Sequence, residues 1–184
     1  STLDWESRED GFVSVGRIVS EKNILRNIEI VCALRSRGYD LHYHIAGPID
    51  SSSALPFSSN YSDKIRSAVS GKEHIKLEGS LSREGLLDLL SRHKYAIHGK
   101  EHEHFGIAVA EMVSAGMLPF IPETGGQVEV INSANQLMYS NKWDAIDKID
   151  SLIEDKTAID DLRNSMPDID LKFGKSRFQQ EISN

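Results

Sequence analysis

Residues 99–126 read G-K-E-H-E-H-F-G-I-A-V-A-E-M-V-S-A-G-M-L-P-F-I-P-E-T-G-G, and this stretch decides the fold. Two glutamates, Glu103 and Glu111, stand with seven residues between them, among these an aromatic, a glycine and small apolar residues. Ile107, Ala108, Ala110, Met112, Val113 and Ala115 predict a helix packed along most of its circumference, with Glu103 in the loop before it and Glu111 inside it. Gly116 is its stop, because glycine takes the left-handed conformation that other residues resist. Met117 to Ile121 then predicts a short buried strand, and Glu123 to Gly126 a turn feeding another helix. Eight residues of helix span roughly 12 Å at about 1.5 Å per residue. Carboxylate pairs that hydrolyse glycosides sit closer, at about 5–5.5 Å or about 6.5–9.5 Å. Glu103 and Glu111 are therefore spaced to grip opposite ends of a long, hydroxyl-rich ligand.

Outward from this stretch, strand-like and helix-like segments alternate. Gly11–Val15 predicts the first strand and residues 1–10 a polar leader or linker, leaving 11–184 as one domain. The strand ends in a Gly16-Arg17-x4-Lys22 turn, followed by a helix carrying Ile24, Leu25, Ile28, Val31, Cys32 and Leu34. A strand, a glycine turn and a helix N-terminus favour an anion, and Arg17 and Lys22 add positive charge there. Leu41–Ala46 and His74–Leu77 predict two more strands, Asp50–Asn60 a loop, Tyr61–Ser70 a helix, and Ser82 an N-cap for a helix over Arg83–Arg92. Tyr95–His98 and Gln136–Tyr139 complete the strands. Lys142–Glu154 is an amphipathic helix with Trp143, Ile146, Ile149 and Ile153 on one face. This alternation predicts an α/β fold, a parallel sheet covered by helices on both faces, with ligands beyond the carboxyl ends of the strands. The turns at Arg17, Gly79, Glu103 and Gly125 all follow predicted strands and converge on that rim.

With Phe105-Gly106 inside the Glu103-x7-Glu111 pattern and Gly125-Gly126 downstream, the chain resembles glycosyltransferase family 4, over about Gly11 to Ile182. The resemblance implies a Rossmann-like domain, the C-terminal half of a GT-B enzyme, acting with retention and without a metal or other required cofactor. A nucleoside-diphosphate sugar is the implied co-substrate. A hydroxyl acceptor, a glycan, lipid or small molecule, is implied to be held by an N-terminal domain absent from this sequence. By resemblance, Arg17 and Lys22, beside Gly16, neutralise the leaving diphosphate. Glu103 faces the donor sugar and Glu111 the ribose hydroxyls. The backbone around His104, Phe105, Gly106 and Ile107 faces sugar and phosphate, and the turn at Ser80 and Leu81 lies beside the base. The isolated domain is then expected to be inactive. The E-H-F-G-I spelling is similar to mannosyltransferases of lipid-linked oligosaccharide assembly and points to GDP-mannose, although His104 stands where the family commonly has a small residue or proline. Two other readings share the fold: a nucleotide-sugar-binding module without catalysis, and a GT-B sugar-nucleotide epimerase.

Charge and composition narrow the classes. A net charge of −7 gives nucleic-acid binding little support. A single cysteine, Cys32, rules out a disulfide framework and fits a reducing, cytoplasmic setting, with peripheral contact at the cytosolic membrane face allowed. The His98–His104 loop is dense in histidine and glutamate without supplying convergent metal geometry, and His42 and His44 read as solvated residues on a half-exposed strand face. Asp168-Ile169-Asp170 is a chance D-x-D in a polar connection, Glu129 reads as structural, and Phe173–Ile182 as a final helix.

Overall fold

The computed structural model describes residues 4–49 and 58–173. Six parallel strands form one sheet in the order β3-β2-β1-β4-β5-β6: β1 Glu9–Val15, β2 His42–Ala46, β3 Ile75–Gly79, β4 His93–Ile97, β5 Leu118–Pro122 and β6 Met138–Tyr139. Eight α-helices connect them among the described residues: α1 Ile24–Ser36, α2 Ser58–Val69, α3 Arg83–Arg92, α4 Ile107–Ser114, α5 Gln127–Val130, α6 Lys142–Ile153, α7 Lys156–Ser165 and α8 Ile169–Phe173. The fold is a Rossmann-like α/β domain, as the alternation predicts.

Alternating side chains of β1, β2 and β4 feed two cores, because successive residues point to opposite faces. Phe12, Tyr43, Tyr95 and Phe120 join Ile28, Val31, Leu34, Ile146 and Ile149 on the larger side, under α1 and α6. Val13, Ala46 and Ala96 face the other way onto Leu89, Leu90 and Met112 of α3 and α4. Fully burying a side chain of this size stabilises by about 1.5–3 kcal/mol, so both layers are firmly held.

Several sequence expectations change. Residues 4–10 are packed into the domain rather than forming a linker. Trp5 is buried edge-on against Tyr95, with ring centroids 5.8 Å apart, and the Arg163 guanidinium lies 4.6 Å from the Trp5 ring. Arg8 is buried and donates to the carbonyls of Ala115 at 2.8 Å and His93 at 3.2 Å, which anchors the start of β1. Two isolated anchors in a polar segment leave no periodic signal. For the same reason α7, buried through Ile159 and Leu162, is not legible in advance. Trp143 is exposed, its ring covered by the Lys142 ammonium at 4.9 Å, while Ile146 and Ile149 are buried. Asp168 and Asp170 lie at the start of α8 rather than in an irregular connection. The helix α2 begins at Ser58, inside the expected loop; residues 50–57 and the helix expected after Phe173 lie outside the described residues. Among the described residues no helix is long and apolar enough to cross a membrane.

Candidate functional site

The strand order turns back between β1 and β4, so the loops leaving these neighbours diverge above the sheet and leave a crevice between them. The loop after β1 carries Gly16, Arg17 and Lys22; the loop after β4 carries His98 to Phe105. They meet through charge. Lys22 Nζ lies 3.2 Å from Glu103 Oε2, and Lys100 Nζ 3.7 Å from Glu103 Oε1. Burial raises the pKa of Glu103, but the Lys22 hydrogen bond and the Lys22 and Lys100 charges more than offset it and hold the carboxylate below its ordinary range. Beneath it, His98 Nε2 is buried with no hydrogen-bond partner, 3.6 Å from Glu103 Oε2, too long for a hydrogen bond. Burial, then the Lys22 charge, pushes the His98 imidazole down to about 4, so it is neutral at pH 7.

Close backbone approach builds the loop that presents Glu103. The φ of Gly125 is +82°, and a Cβ there would stand 2.6 Å from both N and O of Glu103. At Gly126 a Cβ would stand 2.1 Å from the His104 carbonyl oxygen, and the Gly126 N–H donates to the Glu103 carbonyl at 2.7 Å. The double glycine is thus the floor on which the Glu103 loop rests. Gln127, fully buried, donates to the carbonyls of Lys100 and Thr124, each at 2.9 Å. From the other side Asn23 and Arg26 donate to the Gly99 carbonyl at 2.8 and 2.7 Å. Gly99 allows this contact, since a Cβ would meet the Lys22 carbonyl at 2.3 Å.

Gly106, with φ +68°, stands at the N-cap of α4 and provides no side-chain cap. A Cβ at Gly106 would press on Gln127 Cα and Cβ, each at 3.0 Å. The first-turn amides of α4 thus keep no intrahelical partner, and its positive end suits an anion or a sugar hydroxyl. Phe105 and Ile107 flank this terminus, 80% and 71% exposed, although the apolar spacing predicts a helix packed nearly all round. With Arg83, Leu87 and Glu111 they line a groove between α3 and α4. Glu111 Oε1 pairs there with Arg83 Nη1 at 2.8 Å.

The sequence and the fold have counterparts among known proteins. The family model described as glycosyl transferases group 1 matches residues 3–168. The chain belongs to that family. Its sequence is 25% identical over 146 residues to the uncharacterised glycosyltransferase YqgM of Bacillus subtilis, covering 78% of this chain and 39% of that protein. Over 60 residues, 33% of the chain and 12% of the relative, it is 35% identical to a GDP-Man:Man(3)GlcNAc(2)-PP-Dol alpha-1,2-mannosyltransferase of Dictyostelium discoideum. The chain therefore spans well under half the length of these relatives. In three dimensions it resembles Anabaena HepE, solved with UDP and glucose. The TM-score is 0.78 at 15% identity, over 97% of this chain and 48% of that one, a likeness of fold alone. Other solved neighbours are named as glycosyltransferases, and this chain shares their architecture.

Within this group 1 glycosyl transferase domain, the structure brings Gly16, Lys22 and Glu103 together. Gly16 has φ +129°, and a Cβ there would lie 3.5 Å from the Lys22 side chain. Arg17 is exposed on the same turn. His104, Phe105, Gly106 and Ile107 line the approach to α4, with Glu111 one helical stretch beyond. Ser80 and Leu81 are exposed after β3, two strands away from β1 in the sheet and at the same carboxyl rim. Sequence reasoning missed His98, Lys100, Asn23, Arg26, Gln127 and Arg83. Only His98 and Lys100 carried a usable signal, their position at the end of a predicted strand; the others act through backbone or partner contacts that spacing does not reveal.

Proposed function

We propose that this chain is the donor-binding half of a retaining glycosyltransferase of family 4, moving a hexose from a nucleoside-diphosphate sugar to a hydroxyl acceptor without a metal. The observation that carries the reading is the Lys22–Glu103 pair spanning the crevice between β1 and β4, beside an uncapped helix N-terminus. Lys22 is held at the rim by Glu103, and an arriving diphosphate meets an ammonium already in place rather than one free to wander. Arg17 and Lys100 supply further positive charge to the departing diphosphate, which is stabilisation of charge as it develops. The glycosidic C–O bond to phosphate breaks while the acceptor oxygen bonds to the same face of the sugar carbon. The acceptor proton passes to the departing phosphate oxygen.

Glu103 and the first-turn amides of α4, with the backbone at His104 to Ile107, face the sugar. Glu111, eight positions further on, holds the ribose hydroxyls and in doing so trades or shares its Arg83 partner. The Gly79–Leu81 turn borders the base. GDP-mannose is the donor favoured by the E-H-F-G-I spelling and by the short stretch of identity to the mannosyltransferase. The acceptor belongs to a second domain, in a protein acting at the cytosolic side of the cell. Product analysis of the full-length protein with GDP-mannose and UDP-sugars tests this. Transfer with the anomeric configuration kept supports it; inversion, or release of a C2-epimerised sugar without acceptor, contradicts it.

A further inference from the structure

A second cluster of ionisable groups lies at the opposite, amino end of the sheet. Glu9, His42 and His93 are the first residues of β1, β2 and β4, three neighbouring strands, and His44 is two positions along β2. Strand register assembles them: Glu9 pairs with His93 and Gly11 with His42. Gly11 leaves room for the His42 ring, since a Cβ there would fall 2.4 Å from His42 Nε2. His42 and His44 are thus no solvated strand face: His44 and His93 are buried, and the three rings meet at 4.7–5.1 Å between centroids, edge to face.

We propose that Glu9, His42, His44 and His93 form a site for one divalent transition-metal ion, Zn2+ by its donor set, tying together the amino ends of β1, β2 and β4. One nitrogen from each ring and a Glu9 oxygen all lie within 4.8 Å of one another. The His42 and His93 Nε2 atoms are 2.9 Å apart, and Glu9 Oε2 lies 3.3 Å from the first and 3.7 Å from the second. A tetrahedral ion with bonds of about 2.0–2.1 Å keeps its ligand atoms roughly 3.4 Å apart, a spacing those three distances bracket. Three imidazoles and a carboxylate suit zinc better than an oxygen-seeking ion.

The surroundings orient three of the four ligands as metal sites do. The His93 Nδ1–H donates to the Leu89 carbonyl at 2.7 Å, which leaves its lone pair on Nε2, toward His42 and Glu9. Glu78 Oε1 lies 2.5 Å from His44 Nδ1, and a proton on that nitrogen frees Nε2 of His44 as a ligand atom. Arg92 holds Glu9 Oε1 at 3.2 Å while Oε2 faces the histidines. A plain histidine pair explains the 2.9 Å contact but not the third ring, its carboxylate partner and the inward-facing Glu9. Partial exposure of His42 and Glu9 gives an entry path. Among the described residues this is the one group of its kind; the histidine-rich loop at 98–104 gathers none.

The test is calorimetric titration of the metal-stripped chain with zinc chloride, paired with the visible spectrum of its cobalt-loaded form. The expected result is one ion per chain, bound below about 1 µM and at least tenfold more weakly by His42→Gln. Cobalt should give the strong visible bands of a four-coordinate site, and Glu78→Gln should weaken zinc about 10–100-fold, as loss of an orienting partner does. Zinc binding no tighter than about 100 µM overturns the proposal, as does equal affinity in folded His42→Gln. Should His42→Gln misfold, Glu9→Gln at an exposed position decides the same question: tenfold weaker binding supports the site, unchanged binding overturns it.

Discussion

At the carboxyl end of the sheet, cations and a carboxylate face each other across an open crevice, on loops held by glycine contacts and backbone hydrogen bonds. At the amino end, three histidines and a glutamate sit on strands, and register alone brings them together. At the carboxyl end the Glu103 carboxylate is held charged between Lys22 and Lys100. Buried His93 is pushed down to about 4, chiefly by burial, and is neutral at pH 7. Loops can change charge and length without disturbing the core, so chemistry that must meet a moving substrate belongs there. Strand starts cannot move, which suits a fixed ligand or a packing contact.

The contrast breaks first in turnover. Lys22→Ala in the full-length enzyme should lower the rate about 10²–10³-fold, the cost of losing one preorganised charge-stabilising group. His42→Gln at the other end should change the rate less than about threefold, and steady-state kinetics of the two variants compare them directly. A loss under about threefold for Lys22→Ala would remove it from the reaction.

Next in size are the contacts that support the loop. Gly126 has φ −65°, so Gly126→Ala tests only the collision with the His104 carbonyl and should destabilise by about 1–3 kcal/mol while weakening nucleotide binding. Gly38→Ala, where nothing lies within 4 Å, should cost only the strain of φ +107° and leave nucleotide affinity alone. Equal effects of the two variants on nucleotide affinity would contradict the supporting role of the double glycine.

Acid sharpens the comparison in one direction. His98 has its pKa lowered to about 4 in the folded state, so the unfolded chain binds its proton first as pH falls. Stability present above pH 6.5 is therefore lost as pH falls toward about 4, by on the order of 2–3 kcal/mol from this group. The lowered pKa of Glu103 adds a loss of the same sign at still lower pH. Denaturant unfolding of the wild type and His98→Asn across this range should show the variant with the shallower decline; parallel curves would show that His98 is not held neutral.

The smallest effect is at the edge of the groove. Arg83→Ala removes an exposed ion pair with Glu111 and should change stability by less than about 1 kcal/mol, whereas Glu111→Ala should weaken nucleotide binding about tenfold, as read by titration.

Much of this was legible from spacing. The alternation of elements, the stop at Gly116, the N-cap at Ser82 and the convergence of the turns at Arg17, Gly79, Glu103 and Gly125 on one rim all follow from periodicity and turn chemistry. Contacts between segments distant in sequence stayed hidden. Nothing in the polar run before Gly11 signals that Trp5 and Arg8 are buried, nor does His42-x-His44 reveal that His93 lies beside it in space. Spacing along a strand predicts which face a residue takes; it does not say which neighbouring strand supplies the rest of a site.

The most direct test of the carboxyl-end site is calorimetric titration of the full-length protein and its Lys22→Ala variant with UDP, GDP and ADP, with and without chelator. One diphosphate should bind selectively, chelator should leave its affinity unchanged, and Lys22→Ala should weaken it at least tenfold. Equal affinity in the two proteins, or binding lost with chelator, would contradict the proposed site.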